Sequence, residues 1–155
     1  MKEFKMTAEQ YDEMTEQLLE QPCHVIDFLP RQVPENAGGQ FFAAERFYLE
    51  QPQVLGLYPR FANLLIQLNC YYDLVTGNGE RWSFNLPPEE LWARVAACEK
   101  EGKTFLNVLI PREKSLITLY AGDLYMTLYV PSEKLLELVT RLAAAQGLFV
   151  RAGEM

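Results

Sequence analysis

Histidine and cysteine are scarce in this chain of 155 residues, and their scarcity excludes several kinds of site. His24 is the only histidine, so one chain cannot build a zinc site on two imidazoles. The three cysteines, Cys23, Cys70 and Cys98, are odd in number and far apart. This pattern argues against a disulfide framework and indicates a reducing compartment, so we expect a cytoplasmic protein.

Long apolar runs and clusters of basic residues are also missing. No window approaches 18 uninterrupted apolar residues, and no apolar run follows Lys2 and Lys5, so we expect neither a membrane span nor a signal peptide. The 14 basic residues are scattered among 21 acidic ones, and the nearest grouping is only Arg112 with Lys114. Binding to nucleic acid or to an anionic membrane is therefore not expected, and the net charge of −7 favours solubility.

Residues 115–130 carry the most specific structural signal. If Gly122 and Asp123 form a two-residue turn between antiparallel strands, Ile117 faces Leu128 on a purely aliphatic side. The opposite side, which we call the Tyr/Thr face, holds Leu116, Thr118, Tyr120, Tyr125, Thr127 and Tyr129. A slip of one residue would mix the two sides, so the alternation specifies the register.

A second hairpin is predicted from about residue 69 to residue 86. A three-residue loop, Gly77-Asn78-Gly79, would pair Leu74 with Trp82 and Tyr72 with Phe84 on an apolar side. This loop separates apolar from polar residues better than a two-residue Asn-Gly turn does.

The remaining pattern predicts an α+β fold. Helices are expected over residues 7–20, from Pro59, from Pro88 to about Lys100 with Gly102 past its end, and from Ser132 to Gly147. Strands are expected over residues 23–29, 104–110 and 148–151, and Pro30 and Pro34 place the first of them near a sheet edge or lead it into a loop. Residues 40–50 suit a helix better than a strand. We predict an antiparallel sheet of about five or six strands with helices packed on one face. Residues 1–155 would form a single domain, with residues 1–60 either packed on the 61–155 core or laid over it as a flap.

The Tyr/Thr face is the best candidate for binding, through Thr118, Tyr120, Tyr125, Thr127 and Tyr129. Tyrosine offers both an apolar ring and a hydroxyl, which suits interfaces. Two interpretations are open at this point. The aromatic residues of the N-terminal third (Phe41, Phe42, Phe47, Tyr48 and Tyr58) cover this face, or it stays open and binds a protein or a planar small molecule.

Catalytic signals are weaker. Cys23 and His24 are neighbours and would point to opposite faces of a strand, although His24 could meet Cys70 or Cys98 in space. Asp27, Glu45 and Asp73 are acids near apolar residues, but their spacing matches no ligand signature. We therefore predict no catalytic residue, metal or cofactor.

Three functions follow from these residues. The first is a non-enzymatic protein-interaction module that binds a protein partner or a second copy of itself through its aromatic sheet face and acidic surface. The second is a small-molecule binding or sensing domain with a pocket over the Tyr/Thr face. The third is a small enzyme that uses a Cys/His or carboxylate pair.

Overall fold

The computed structural model describes residues 6–99 and 104–153. Across these residues the chain forms six α-helices and a seven-stranded antiparallel sheet, which confirms the α+β prediction. The helices are α1 (Ala8–Leu19), α2 (Phe41–Glu50), α3 (Pro52–Leu55), α4 (Leu57–Leu68), α5 (Pro88–Ala97) and α6 (Glu133–Ala145), and a 3-10 helix covers Pro111–Glu113. The strands are β1 (Cys23–Asp27), β2 (Val75–Gly77), β3 (Trp82–Phe84), β4 (Phe105–Ile110), β5 (Ser115–Tyr120), β6 (Tyr125–Tyr129) and β7 (Phe149–Ala152).

The strands follow the order β3-β2-β4-β5-β6-β1-β7. β1 pairs with β6 on one side and with β7 on the other, so it is the second strand from the edge, and it leads into a loop after Asp27. The C-terminal strand β7 forms the edge itself. The N-terminal part of the chain thus contributes a strand to the sheet itself, while the single-domain organisation stays a prediction.

The aliphatic side of the sheet is covered by helices. The buried residues of α4 recur at helical spacing, as expected for a helix with one apolar face: Phe61, Leu64, Leu65 and Leu68. They form one core with Leu91 and Val95 of α5, Leu135 and Val139 of α6, and Ile117, Leu119, Met126 and Leu128 of the sheet. Burial of these side chains is the main stabilising contribution to the fold.

The register predicted for residues 115–130 is confirmed. Leu116 pairs with Tyr129, and Thr118 pairs with Thr127, so the aliphatic and Tyr/Thr sides are separate. The turn differs from the prediction, because the Asp123 N–H donates to the Tyr120 carbonyl at 3.1 Å. Gly122, with a φ of 80°, therefore occupies the third position of the turn, where a left-handed residue is needed.

The register predicted for the second hairpin is wrong. Val75 pairs with Phe84 and Gly77 pairs with Trp82, so Leu74 and Trp82 lie on opposite faces. Because Gly77 pairs with Trp82, four residues, 78–81, connect the two strands where three were predicted. The first strand is also shorter than predicted and begins only at Val75, since the Tyr72 N–H donates to the Leu68 carbonyl at 3.1 Å and continues the helical turns of α4.

Most other predicted elements are confirmed. Residues 41–50 form a helix, and residues 149–152 form a last strand. α4 begins at Leu57, two residues before Pro59. α5 ends at Ala97, and the predicted end at Lys100 and Gly102 lies outside the described residues.

Candidate functional site

The Tyr/Thr face is divided into a covered row and an open part. The row beneath α1, read across the sheet by register, is Val75, Leu109, Leu116, Tyr129 and Cys23. Tyr11 and Leu18 of α1 are buried against Val75, Leu109 and Leu116, and Tyr129 packs beside them. For this row, the interpretation that the face is covered is correct.

Trp82 fixes α1 to the sheet. Its indole Nε1 donates to Asp12 Oδ1 at 2.8 Å, and its ring lies 5.7 Å from that of Tyr11. The sequence pattern placed Trp82 on the aliphatic side, so it gave no sign of this contact. The cover is therefore a helix of the N-terminal third, as one interpretation expected, but it is α1 with Tyr11 and not the aromatic residues of 41–58.

The next row of the face contains two buried polar atoms without a hydrogen bond. This row holds Gly77, Asn107, Thr118, Thr127, Val25 and Arg151. Thr118 is only 2% exposed, and neither its Oγ1 nor Arg151 Nε has a hydrogen-bond partner. Burial raises the pKa of Tyr129, and the nearby Thr118 hydroxyl offsets part of that rise. The hydroxyls of Thr118 and Tyr129 nevertheless lack the geometry of a hydrogen bond. Unpaired buried polar atoms are rare in folded proteins and call for a partner.

The last row is open to solvent. It holds Phe105, Tyr120, Tyr125, Asp27 and Phe149. Tyr120 is 45% exposed and Tyr125 is 43% exposed, so the interpretation of an open face is correct here. Tyr120 also packs against Phe105, with ring centroids 6.2 Å apart, which holds its ring in place.

Negative charge surrounds this open row. Burial is the largest cause of the raised pKa of Tyr125, and the charges of Asp123, Asp27 and Glu45 raise it further. Asp27 is partly neutralised by Arg151, whose Nη2 lies 3.1 Å from Asp27 Oδ2. Glu45 belongs to α2, so this helix lies close enough to the open row to add to its negative potential.

Helix α2 carries exposed aromatic residues, although the sequence suggested that they cover the Tyr/Thr face. Neither α2 nor α3 contains a buried residue, and Phe42 is 76% exposed. Tyr48 packs edge-to-face on Phe28 just after β1, with ring centroids 5.5 Å apart. Tyr58, which was expected to cover the Tyr/Thr face, is buried in the core of the opposite side. The only sign of this surface in the sequence is the high apolar content of residues 41–50, and apolar content does not distinguish exposed residues from buried ones.

Cys23 and His24, which were considered for catalysis, do not form a pair of nucleophile and base. Cys23 pairs with Tyr129 and His24 with Leu128, so the two side chains point to opposite faces as expected. Burial raises the pKa of Cys98 to about 11, which keeps its thiol protonated and unreactive. Cys70 is exposed on the turn after α4.

Asp73 accepts a hydrogen bond from Asn85 Nδ2 at 2.9 Å. Among the described residues, no group of three or more His, Cys, Asp and Glu side chains is arranged to hold a metal ion. Within the same residues, every helix is too short or too polar to cross a bilayer.

The more pronounced clefts on the described surface do not include the candidate binding residues of the Tyr/Thr face. One lies between Phe28 and α2, and another lies beside α6. The open row of Tyr120 and Tyr125 is therefore not part of any of these clefts. No family model, no curated protein and no solved structure matches this chain.

Proposed function

We propose that this chain is a non-enzymatic interaction module that binds a basic segment of a partner protein. The contact surface is the open part of the Tyr/Thr face, which is formed by Tyr120 and Tyr125 with the half-buried Thr127 beside them. One observation carries the proposal: α1 packs on the row of Val75, Leu109 and Leu116, and Tyr120 and Tyr125 at the other end of the face stay nearly half exposed.

The charge of the surface selects the partner. Asp27, Glu45 and Asp123 all act on Tyr125, and the whole chain has a net charge of −7. A lysine or arginine side chain gains from this potential and from contact with a tyrosine ring, at about 0.5–2 kcal/mol for each cation–π contact.

The open row favours an extended basic segment as the bound group. Such a segment lies along Tyr120 and Tyr125, which are 45% and 43% exposed, and its cationic side chains contact their rings.

The proposal is tested with the double variant Tyr120→Ser/Tyr125→Ser. Proteins from the native host that bind the wild-type chain are purified and titrated against each variant by calorimetry. We expect at least a tenfold loss of affinity for the double variant and weaker binding to the wild type at high salt. The matched control is Trp92→Ser, which removes an aromatic side chain of similar exposure from α5.

Two results would contradict the proposal. One is a partner that binds the double variant as tightly as the wild type. The other is no recovered partner together with a strictly monomeric mass in sedimentation. A third result is a wild-type dimer that the double substitution dissociates. The surface would then bind a second copy of the chain and not a basic partner.

A further inference from the structure

A cleft on the helical side of the molecule is lined by three distant parts of the sequence, two of which contribute positive charge. Its volume is about 420 Å³, and its walls are α6, the turn after α4 and the 3-10 helix Pro111–Glu113. This volume lies within the range of small-molecule sites, about 300–1,000 Å³. Arg112, Lys134 and Arg141 line it together with Tyr71, Tyr72 and Glu137.

The charges of this cleft do not cancel. Arg141 Nε lies 3.7 Å from Glu137 Oε1, but the two side chains are 79% and 73% exposed, so their pairing is weak. Lys134 and Arg141 are seven residues apart on α6, which places them about 10 Å apart along the helix axis. Arg112 adds a third cation from the 3-10 helix.

The nearest additional carboxylate is already engaged. Glu113 Oε1 accepts hydrogen bonds from the Tyr72 hydroxyl at 2.8 Å and from Ser132 Oγ at 3.2 Å. These contacts hold the Tyr72 ring in the wall of the cleft. Even with Glu113 counted, cations outnumber carboxylates here, in a chain whose net charge is −7.

Tyr71 adds an aromatic surface at the rim, since its side chain is 66% exposed. Arginine side chains bind phosphate oxygens in a bidentate manner, and an aromatic ring gains about 1–3 kcal/mol by stacking on a planar base. From this arrangement we propose that the cleft binds a small anion that carries a planar ring, the chemistry of a mononucleotide. This site is on the other side of the sheet from the Tyr/Thr face, so the inference does not rest on the proposed function.

The test titrates ADP, pyrophosphate and adenosine into the protein by calorimetry at low ionic strength. In the variant Arg112→Gln/Arg141→Gln, we expect at least a tenfold weaker affinity for both ADP and pyrophosphate. In Tyr71→Ser, we expect weaker binding of ADP and unchanged binding of pyrophosphate, because only ADP carries a ring. The matched control Arg31→Gln/Arg81→Gln removes the same charge from two exposed arginines elsewhere and should bind ADP like the wild type.

The proposal would be overturned by a wild-type chain that does not bind ADP under these conditions. It would also be overturned if the control pair weakened ADP binding as much as Arg112→Gln/Arg141→Gln, because the effect would then come from net charge. Unchanged ADP affinity in Tyr71→Ser would overturn the role of the ring. Circular dichroism of each variant verifies that the exposed substitutions leave the fold intact.

Discussion

Gly77 in β2 is a residue whose lack of a side chain is required by a specific neighbour. A Cβ at this position would lie 2.6 Å from Cε3 of the Trp82 indole on the adjacent strand. The indole cannot move away freely, because it donates to Asp12 and packs against Tyr11 of α1. The glycine therefore allows both the close approach of β3 and the docking of α1.

From this contact we predict that Gly77→Ala lowers the free energy of unfolding by about 1–3 kcal/mol, the usual range for overpacking. The measurement is urea unfolding followed by tryptophan fluorescence, which also reports displacement of Trp82. Gly39→Ala is the matched control, because a Cβ there has no atom within 4 Å. Equal stability of Gly77→Ala and the wild type would show that the indole has room to shift.

Single residues also show which features of the structure can be predicted from the sequence. The pairing of Thr118 with Thr127 was predictable, because an alternation with a different chemistry on each side tolerates no slip. The exposure of Tyr120 was not predictable, since it depends on which part of the face a distant helix covers. The grouping of Arg112, Lys134 and Arg141 was also not predictable, because it depends on the relative position of α6 and the 3-10 helix.

At the scale of elements, α1 decides how much of the Tyr/Thr face is open. Its start was predictable from Thr7 and Gln10, and both reciprocal hydrogen bonds of the capping box are present. Its apolar stripe indicates only that one side of the helix is buried, and does not indicate against which face of the sheet. The error in the second hairpin has another origin, because four residues, 78–81, connect its strands where the glycine pattern predicted three.

The cap leads to a prediction about this element. Thr7 Oγ1 accepts from the Gln10 N–H at 3.2 Å, so Thr7→Ala should lower the free energy of unfolding by about 0.5–2 kcal/mol. It should also speed amide hydrogen exchange in α1 more than in α6. The matched control is Thr140→Ala in α6, where the hydroxyl donates to the Leu136 carbonyl at 2.7 Å within an existing helical turn.

Removal of the Thr140 hydroxyl should be neutral or slightly stabilising, because a threonine inside a helix competes with the backbone. If Thr7→Ala and Thr140→Ala changed stability equally, the cap would contribute nothing to the docking of α1.

At the scale of the whole molecule, the sheet separates two surfaces of opposite charge. The open Tyr/Thr face lies under the influence of Asp27, Glu45 and Asp123, whereas the cationic cleft belongs to the helical side. Hydrogen bonds join the helical layer to the end of the hairpin that carries the open face, and the Gly122 N–H donates to the Cys98 carbonyl at the end of α5 at 3.1 Å. The Tyr58 hydroxyl of α4 donates to the Asp123 carbonyl at 2.7 Å.

Tyr58 makes the stability of the whole fold sensitive to alkaline pH. Burial, followed by the negative charges of Cys98 and Asp123, raises the pKa of its phenol well above the ordinary value. A raised folded-state pKa contributes stability that is fully present below the unfolded value of about 10 and is lost as the pH rises through the folded value. Above pH 10, this residue alone should lower the free energy of unfolding by up to about 1.4 kcal/mol per pH unit.

The variant Tyr58→Phe should therefore change stability in a direction that depends on pH. At pH 7 it loses the hydrogen bond to Asp123 and should be less stable than the wild type by about 0.5–1.5 kcal/mol. Above pH 10 the wild type loses stability faster, so the difference should shrink and then reverse. Urea unfolding at a series of pH values measures both curves. Tyr71→Phe, which alters an exposed phenol, is the control and should follow the wild-type curve throughout. Parallel curves for Tyr58→Phe and the wild type would contradict the prediction, because they would mean that the Tyr58 phenolate is tolerated in the folded protein.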